Sequence, residues 1–332
     1  MKIAITHDPH VQKNYKDEIN TIRAYHDLIA SSIVAALINL GHQVEICETN
    51  DKLERKLREI KPGLVFNTSI SSKNGDGYAY APGILEKNHI PFTGPSAKAC
   101  ANAYDKLGTI EILDKAGIKA PLAVSFSEGD KLLIPSRMKY PLFIKPRKGG
   151  CSRGISSRSF IKTPDDFLEK IREAFEEINE PVIVEEFLPG REFSVGILGN
   201  QPIEVLTIIE FVYEHNEIPF RSYSRKMVNY EIEGMVCPAQ LKDVEKKAIE
   251  NLAVSAFQAL ECRDYARIDI RMDAQGEPFI LEVNAIPNLE PNSSSFALMA
   301  KYAGISFDQL IEKILNFALK RYEFVDSEKV NY

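Results

Sequence analysis

Two apolar runs joined by a short turn, near the C-terminus, most constrain how this 332-residue chain can fold. The runs Arg267–Met272 and Pro278–Val283 are rich in strand-forming residues, and the turn Asp273-Ala-Gln-Gly276 separates them. Apolar runs on either side of a glycine-containing turn are typical of a β-hairpin. We therefore expect two antiparallel strands at this point, and every functional residue on them must follow the alternation of a strand.

Three oxygen-bearing side chains are expected to meet on one face of this hairpin. Alternation places Glu282 and Asn284 on the same face, and Asp269 can join them from the neighbouring strand. Buried carboxylates cost free energy unless they are paired or bound to a metal, and hard oxygen ligands suit Mg²⁺ together with nucleotide phosphates. The hairpin therefore indicates a Mg²⁺–ATP site, while a hairpin with its acids in solvent fits the same local pattern.

Composition narrows the class of protein. Apolar residues make up 44% of the chain and charged residues 27%, as in an ordinary globular protein, and the net charge is −6. An acidic balance argues against binding to nucleic acid or to an anionic membrane. No apolar run approaches the ~18 residues of a membrane span, and the first strand-like run is too short for a signal peptide. Five scattered cysteines without zinc spacing indicate reduced thiols in a cytoplasmic protein.

The chain divides into three predicted units, at residues 1–98, 99–181 and 182–332. The first alternates strand and helix patterns, which predicts a parallel sheet with helices on its faces. A turn-rich stretch, Asn74-Gly-Asp-Gly77, follows its third strand, where open α/β sheets bind ligands. The predicted strands are Lys2–Thr6, Gln43–Cys47 and Leu64–Asn67, with one helix ending near Leu40 and another at Asp51–Ile60.

The other two units have mixed patterns. One helix is expected from Ala99 through Ala116 in the second unit, before a strand at Leu142–Lys145 and a glycine-rich stretch. The third unit opens with a strand at Val182–Glu186 and ends in a polar tail, Glu323–Tyr332. Further helices are predicted at Pro164–Glu177, Lys242–Leu260, Ser295–Tyr302 and Phe307–Tyr322.

A glycine-rich stretch follows the strand that ends at Lys145. Its sequence is Lys145-Pro-Arg-Lys-Gly-Gly-Cys-Ser-Arg-Gly154. Adjacent glycines allow backbone N–H groups to turn toward an anion, and a lysine at the end of a strand can contact a phosphate. The spacing is not that of the Walker phosphate-binding loop, and a basic surface loop explains the same residues equally well.

A second segment, Val182 to Glu192, has the pattern of a nucleotide-binding linker. An apolar strand runs into Glu185 and Glu186, after which Phe187 or Leu188 can pack on a flat base. Glu192 is spaced to accept hydrogen bonds from ribose hydroxyls, as acidic residues do in other nucleotide-binding folds. Taken alone, the segment is more simply an ordinary strand and turn with solvated acids.

The order of these segments resembles the ATP-grasp superfamily and, within it, the D-alanine–D-alanine ligases. The resemblance runs from Gly75 to about Ile314. It implies an α/β protein with an N-terminal parallel sheet and an ATP-grasp fold, which is α+β in the ATP-binding part. The segments that carry it are Ile90-Pro-Phe-Thr-Gly-Pro-Ser with Tyr104-Asp-Lys-Leu, Phe143-Ile-Lys-Pro, Val184-Glu-Glu-Phe-Leu-Pro-Gly-Arg-Glu, Cys237-Pro-Ala, and Tyr265-Ala-Arg-Ile-Asp with Leu281-Glu-Val-Asn.

The resemblance also implies a role for each matching residue. Phosphates of ATP would be contacted by lysines and by the glycine-rich stretch, the adenine by the linker, and two Mg²⁺ ions, or Mn²⁺ in their place, by oxygen ligands. The implied phosphate contacts are Lys106, Lys145, Lys226, Gly150, Cys151 and Ser152; the adenine contacts are Glu185, Glu186 and Leu188; the ribose ligand is Glu192; the metal ligands are Asp269, Glu282 and Asn284; the catalytic residues are Arg267, Lys226 and Ser293.

The implied reaction is phosphoryl transfer from ATP to a carboxylate, followed by attack of an amine on the acyl phosphate. Arg267 would stabilise the tetrahedral intermediate, and Ser293 matches a serine that binds the carboxylate of the second substrate. Because phosphoryl transfer between anions requires neutralisation of charge, metal ions and basic side chains are expected together. The implied partners are a small amino-acid-like donor and an amine acceptor, in a cytoplasmic protein that is compatible with a homodimer.

The sequence departs from the family where the family binds its amino acids. The first loop, His7 to Glu18, lacks the family's Ser-Ala-Glu, although Asp8, Asp17 or Glu18 could hold an ammonium group. Cys151 replaces a serine, Met227 replaces a tyrosine, and Pro287-Asn-Leu-Glu290 replaces Pro-Gly-Met-Thr. Glu290 could bind a cationic substrate group or cap the helix that follows.

Three functions fit these departures. The first is a carboxylate–amine ligase of the family with altered substrates, including an enzyme with a peptide or natural-product acceptor. The second is a D-alanine–D-alanine ligase of cell-wall synthesis, and the third is an ATP-binding protein without catalysis. Arg267 and the paired carboxylates argue against the third, because binding alone does not need the arginine. We expect that D-alanine is not the best substrate in both positions.

Overall fold

A computed structural model describes residues 1–8, 19–70, 77–150, 154–213 and 234–328; at 19–26 and 323–328 it describes the backbone only. Three sheets with flanking helices make up this part of the chain. The N-terminal sheet is parallel in the order β2-β1-β3, so the predicted parallel sheet is confirmed. Its elements are β1 (Lys2–His7), α1 (Ile19–Asn39), β2 (Gln43–Glu48), α2 (Leu53–Ile60), β3 (Leu64–Phe66) and α3 (Tyr80–Lys87).

The helix predicted from Ala99 through Ala116 is wrong as a single element, because Asp105 interrupts it. α4 spans Ala97–Tyr104 and α5 spans Lys106–Lys115. Asp105 adopts an extended conformation (φ −93°, ψ 105°), and its side chain accepts hydrogen bonds from two N–H groups of the first turn of α5. Arg147 also donates to both carboxylate oxygens of Asp105, at 2.8 to 3.1 Å. A capped and ion-paired aspartate therefore starts a new helix at Lys106.

The second sheet is antiparallel in the order β4-β7-β5-β6. Its inner face packs on α6 through a core that includes Phe126, Ile144 and Ile171. β7 begins at the predicted boundary between the second and third units, yet it pairs within this sheet; the division into three units stays a prediction. The elements are β4 (Ala123–Phe126), β5 (Leu142–Pro146), β6 (Phe160–Ile161), α6 (Phe167–Ile178) and β7 (Val182–Glu186).

The third sheet contains the predicted hairpin, which the structure confirms. β12 and β13 pair antiparallel, and Gly276 adopts a positive φ of 83° in the turn between them. The strand order is β11-β10-β8-β12-β13, with β9 paired to β8, and α7 packs on one face. The elements are β8 (Glu192–Leu198), β9 (Glu204–Val205), β10 (Ile209–Phe211), β11 (Met235–Val236), α7 (Asp243–Ala259), β12 (Tyr265–Met272) and β13 (Pro278–Asn284).

Two C-terminal helices, α8 (Ser295–Tyr302) and α9 (Phe307–Glu328), join the N-terminal sheet to the third sheet. One apolar core includes Ile5 of the first sheet, Leu198 of the third sheet and Ile311 of α9. The backbone of α9 continues past its predicted end at Tyr322. Within the described residues, no helix is both long and apolar enough to cross a membrane.

A fully buried carboxylate, Asp264, lies just before β12 and connects the third sheet to α9 and to the segment around Gly94. It accepts hydrogen bonds from Arg321 of α9 (2.6 Å), from the backbone N–H of Gly94 (2.8 Å) and from the Asn200 amide (2.9 Å). Arg321 also donates to the carbonyl of Phe92 at 2.8 Å. Because a buried charge is stable only when it is paired, this cluster fixes the start of β12 relative to α9.

Candidate active site

A cleft is lined by side chains of the second and third sheets, and most of the predicted site residues meet there. Asn284 adjoins it through Asp269, while Ser293 lies beyond the end of β13. Cys151, Ser152 and Lys226 lie outside the described residues, as do Met227, Asp17 and Glu18. The predicted residues that line the cleft are Lys106, Lys145, Gly150, Glu185, Glu186, Leu188, Glu192, Arg267, Asp269 and Glu282.

An ion pair between Lys145 and Glu185 forms part of the cleft wall. The two residues lie on the adjacent strands β5 and β7, and Lys145 Nζ is 2.7 Å from Glu185 Oε1. Both residues are buried, yet Glu185 Oε2 has no hydrogen-bond partner among the residues that the structure describes. A buried acceptor without a donor is costly. The wall is therefore suited to a ligand that brings a donor, such as the exocyclic amine of adenine.

Lys106 is the first residue of α5, where the break at Asp105 places it. Its Nζ donates to the carbonyl of Gly149 at 2.8 Å, and its own backbone N–H donates to the carbonyl of Arg147. Burial lowers the pKa of Lys106 to about 8; the Glu282 carboxylate opposes that shift and the Lys145 ammonium adds to it. Two lysines thus face one cleft, which favours an anionic ligand such as a polyphosphate.

The linker after β7 is held in place by hydrogen bonds to neighbouring segments of the second sheet. The N–H of Lys139 donates to Glu186 Oε1 at 2.7 Å, and the backbone N–H groups of Glu186 and Phe187 donate to the carbonyls of Leu122 and Pro141. Leu188 is buried and lines the cleft beside Phe187. The linker therefore offers a rigid apolar surface of the kind that a purine ring needs.

A residue that the sequence reasoning missed, Arg271, pairs with the proposed ribose ligand. Its Nη1 lies 2.9 Å from Glu192 Oε2, which also accepts from the Tyr213 hydroxyl at 2.7 Å. Arg271 is 3% exposed, and its guanidinium lies 4.7 Å from the centre of the Phe187 ring. The signal was present in the sequence, because alternation along β12 places Arg271 on the face of Asp269.

Asp269 is the centre of the predicted metal site. It stands directly opposite Glu282 in the hairpin register. Its Oδ1 accepts from Ser194 Oγ (2.5 Å) and Arg267 Nε (2.8 Å), and its Oδ2 accepts from Arg267 Nη2 (2.8 Å) and Asn284 Nδ2 (2.9 Å). Ser194, on the neighbouring strand β8, was not predicted.

The donor set fits a hard divalent cation, because it offers two carboxylates and an amide at one point of the sheet. No group of three or more histidines, cysteines, aspartates or glutamates that could hold a metal occurs in the described ranges. Protein oxygens alone would therefore fill only part of an octahedral shell, as is usual for Mg²⁺ that shares its coordination with nucleotide phosphates.

Ser293 and Glu290 belong to one tight turn before α8. Glu290 Oε2 accepts from the N–H of Asn292 (2.9 Å) and from both the N–H and the hydroxyl (2.6 Å) of Ser293. Glu290 is 2% exposed. In this structure its carboxylate accepts hydrogen bonds within the turn itself, whereas the predicted helix cap is wrong for Glu290, because the side chain of Ser294 caps α8.

The first loop begins at Asp8, one of the three acids considered for an ammonium group. Asp8 is buried, and it accepts from the Ser69 hydroxyl (2.8 Å) and the Ile70 N–H (2.6 Å). It lies at the carboxyl end of β1, as the ligand-binding edge of a parallel sheet requires. His7 pairs with Asp27 at 2.8 Å. Whether Asp8 meets a substrate stays a prediction.

Comparison with known proteins places these features in one family. Residues 115–316 match the family described as D-ala D-ala ligase C-terminus. A D-alanine–D-alanine ligase of Carboxydothermus hydrogenoformans is 32% identical, covering 87% of this chain and 92% of that protein. An uncharacterized protein of Sinorhizobium fredii, y4sG, is 30% identical and covers 89% of this chain and 88% of its own length.

A solved structure extends the likeness to the whole fold. The D-alanine–D-alanine ligase of Bacillus anthracis complexed with ATP superimposes with a TM-score of 0.76 over 97% of this chain and 99% of that one, at 20% identity. The fold and the cleft thus define an ATP-grasp ligase. The chain belongs to the D-alanine–D-alanine ligase family. The predicted family, fold class and enzyme class are confirmed.

Proposed function

We propose that this protein is a carboxylate–amine ligase that forms an amide bond through an acyl phosphate, with substrates other than two D-alanines. The observation that carries the proposal is the cleft itself, where the Lys145–Glu185 pair, the Glu192–Arg271 pair and the Asp269–Glu282 pair face one another. The small amino-acid-like substrates follow from membership of the family.

The nucleotide would lie with its base on the linker. Glu185 Oε2, which lacks a partner within the described part of the chain, would accept from the adenine amine, and Leu188 would pack on the ring. Glu192 would accept from the ribose hydroxyls while Arg271 holds it in place. Lys106, Lys145 and the stretch Gly150–Ser152 would contact the phosphates, as would Lys226.

Asp269, Glu282 and Asn284 would hold Mg²⁺, with two ions as the expected number and Mn²⁺ as an alternative. Bound there, the metal neutralises phosphate charge and orients the transferred group. Asn284 donates its amide N–H to Asp269 in this structure, so a rotation of the amide would present its oxygen to the metal. Arg267 and Asp269 form a two-point pair that keeps the guanidinium rigid at the face of the sheet.

The reaction then follows in two displacements. An oxygen of the donor carboxylate attacks the terminal phosphorus of ATP, the bond to ADP breaks, and an acyl phosphate forms. The amine of the acceptor attacks the acyl carbon, and inorganic phosphate leaves with the bonding electron pair. Arg267 would stabilise the oxyanion of the tetrahedral intermediate, because its positive charge is fixed before the reaction. The proton that the acceptor amine loses on the way to the amide passes to the departing phosphate or to water.

The departures in the first loop, at Cys151 and at Met227 support altered substrates. A site that has lost groups that hydrogen-bond a ligand loses selectivity for that ligand, often by a factor of 10² or more. Met227 also offers a flexible apolar surface that suits a bulkier donor than alanine. A D-alanine–D-alanine ligase is the second candidate, and the identity to ligases of that name favours it.

The decisive experiment is a panel of carboxylate donors and amine acceptors, with ATP and Mg²⁺ and with products identified by mass spectrometry. We expect an amide product together with ADP and phosphate. AMP and pyrophosphate as stoichiometric products would exclude the acyl-phosphate route. A kcat/KM for D-alanyl-D-alanine above that of every other pair would establish the second candidate instead. ATP binding without any product from the panel would favour a non-catalytic role.

A further inference from the structure

A carboxylate of the chain itself occupies a ready-made anion-binding turn at Ser293. Three donors converge on Glu290 Oε2, namely the N–H groups of Asn292 and Ser293 and the Ser293 hydroxyl. Glu290 Oε1 faces the Asn292 amide at 3.3 Å. A serine hydroxyl has a single proton, so the proton of Ser293 is already donated to Glu290.

We infer that Glu290 fills the acceptor carboxylate position from within the chain, and that the acceptor is an amine with no free carboxylate beside it. The inference rests on the proposed function and on the family resemblance, which implies that Ser293 belongs to the acceptor subsite. The substrate class is then an amino-acid amide or ester, the N-terminal residue of a peptide, or a simple amine. Glu290 is the residue that determines this specificity.

Two carboxylates cannot share this turn. A second one would find the Ser293 hydroxyl already used as a donor and would meet the charge of Glu290, and like charges in contact cost several kcal/mol. Glu290 is only three residues from Ser293, so its effective concentration at the turn is on the order of millimolar or above. A free substrate carboxylate therefore competes poorly for the same donors.

Burial makes the arrangement hard to reverse. Glu290 is 2% exposed, and the following residues Ser294 and Ser295 are buried as well. Rotation of Glu290 out of the turn would break three hydrogen bonds to a charged acceptor, from the Asn292 and Ser293 N–H groups and from the Ser293 hydroxyl, and such bonds contribute about 1.5–3 kcal/mol each. An acceptor with a neutral group beside its amine does not demand that rotation.

The test compares matched acceptors with the donor held constant. D-alanine is set against D-alaninamide, and L-alanine against L-alaninamide, with the donor that gives most product in the panel. We expect the wild-type enzyme to use the amide with a kcat/KM at least about 100-fold above that of the acid. The Glu290→Thr variant should reduce that ratio at least tenfold, because a short side chain leaves the turn open.

Glu290→Gln is the matched control for the fold. Its amide oxygen still accepts from the turn, so the variant should unfold close to the wild-type temperature, and its preference for amides should fall between the wild type and Glu290→Thr. Equal use of acid and amide by the wild-type enzyme would overturn the inference, and so would an unchanged ratio in both variants. If no acceptor gives any product, the ligase proposal fails and this inference fails with it. Equal use of acid and amide would overturn the inference alone, so the two failures can be told apart.

Discussion

Lys145 Nζ lies 2.7 Å from Glu185 Oε1, between two neighbouring strands, and each side chain is less than one-tenth exposed. The pair is therefore a structural ion pair that could also bind a ligand, because no donor reaches Glu185 Oε2 from the residues described in the structure. Removal of one partner leaves the other as a buried, uncompensated charge, which is far more costly than removal of both.

Glu185→Ala should lower the free energy of unfolding by about 3–5 kcal/mol, since buried Lys145 then loses the carboxylate that lies 2.7 Å from its ammonium. Denaturant unfolding measures the change. The double variant Lys145→Met/Glu185→Leu serves as the control and should regain most of the loss, because two apolar side chains of similar size need no compensation. If the single variant is as stable as the wild type, the pair is not a buried charge pair in solution.

Glu282→Gln should keep the fold but reduce turnover by at least about 100-fold, because it removes a metal carboxylate that stands opposite Asp269. Glu277 lies in the exposed turn of the same hairpin, where its carboxylate pairs with exposed Lys119, so Glu277→Gln should keep full turnover. Steady-state rates at saturating Mg²⁺ compare the two. Wild-type turnover in a folded Glu282→Gln protein would remove Glu282 from the metal site.

The pKa of about 8 at Lys106 predicts a pH dependence of ATP use. An ordinary lysine keeps its charge to about pH 10.4, whereas Lys106 loses it as the pH rises through 8. The kcat/KM for ATP, which reports the free enzyme, should therefore fall above pH 8. The depressed pKa of Lys106 also affects stability, because the unfolded chain holds this proton more tightly than the folded one. The free energy of unfolding is therefore lowest below pH 8 and rises as the pH increases from 8 toward 10.5.

Lys106→Arg provides the comparison for this pH dependence, because arginine stays charged throughout the range. Its profile for kcat/KM should lack the fall near pH 8, even if its absolute rate is lower. A wild-type profile that stays flat to pH 9.5 would mean that Lys106 is not the group that titrates in the free enzyme.

Arg271→Met should raise the KM for ATP by about tenfold or more while kcat changes little, because a hydrogen bond to a charged group contributes about 1.5–3 kcal/mol. Arg271 acts through Glu192, to which it is bonded at 2.9 Å. With 2′,3′-dideoxyATP, which has no ribose hydroxyl to offer, variant and wild type should have similar KM values. An equal loss with both nucleotides would give Arg271 a structural role only.

Features of this chain that depend on interactions between residues close in sequence could be predicted, and those that depend on distant residues could not. The hairpin was predictable because alternation and the turn at Gly276 are local, and this also brought Asp269 and Glu282 together. The break at Asp105 was not, because its partner Arg147 lies 42 residues away. Without that partner, residues from Ala99 to Ala116 have the pattern of one helix.

Distance along the chain also explains why two polar contacts of the site were not predicted. Ser194 lies 75 residues from Asp269, and Arg271 lies 79 residues from Glu192, so neither contact can be deduced from spacing along the chain. The role of Glu290 was left open for a different reason. A glutamate three residues before a serine fits a cap and a substrate contact equally, and only the direction of its carboxylate separates them.

The buried carboxylate of Asp264 has a consequence for synthesis on the ribosome. Its charged partner, Arg321, follows 57 residues later, so it is translated well after β12 itself. Until that arginine leaves the exit tunnel, closing the polypeptide around Asp264 would bury a negative charge that has neutral donors, the Gly94 N–H and the Asn200 amide, but lacks the arginine that pairs with it. The nascent chain should therefore keep the start of β12 open to water, where chaperones have access, and complete its tertiary structure only after α9 has emerged.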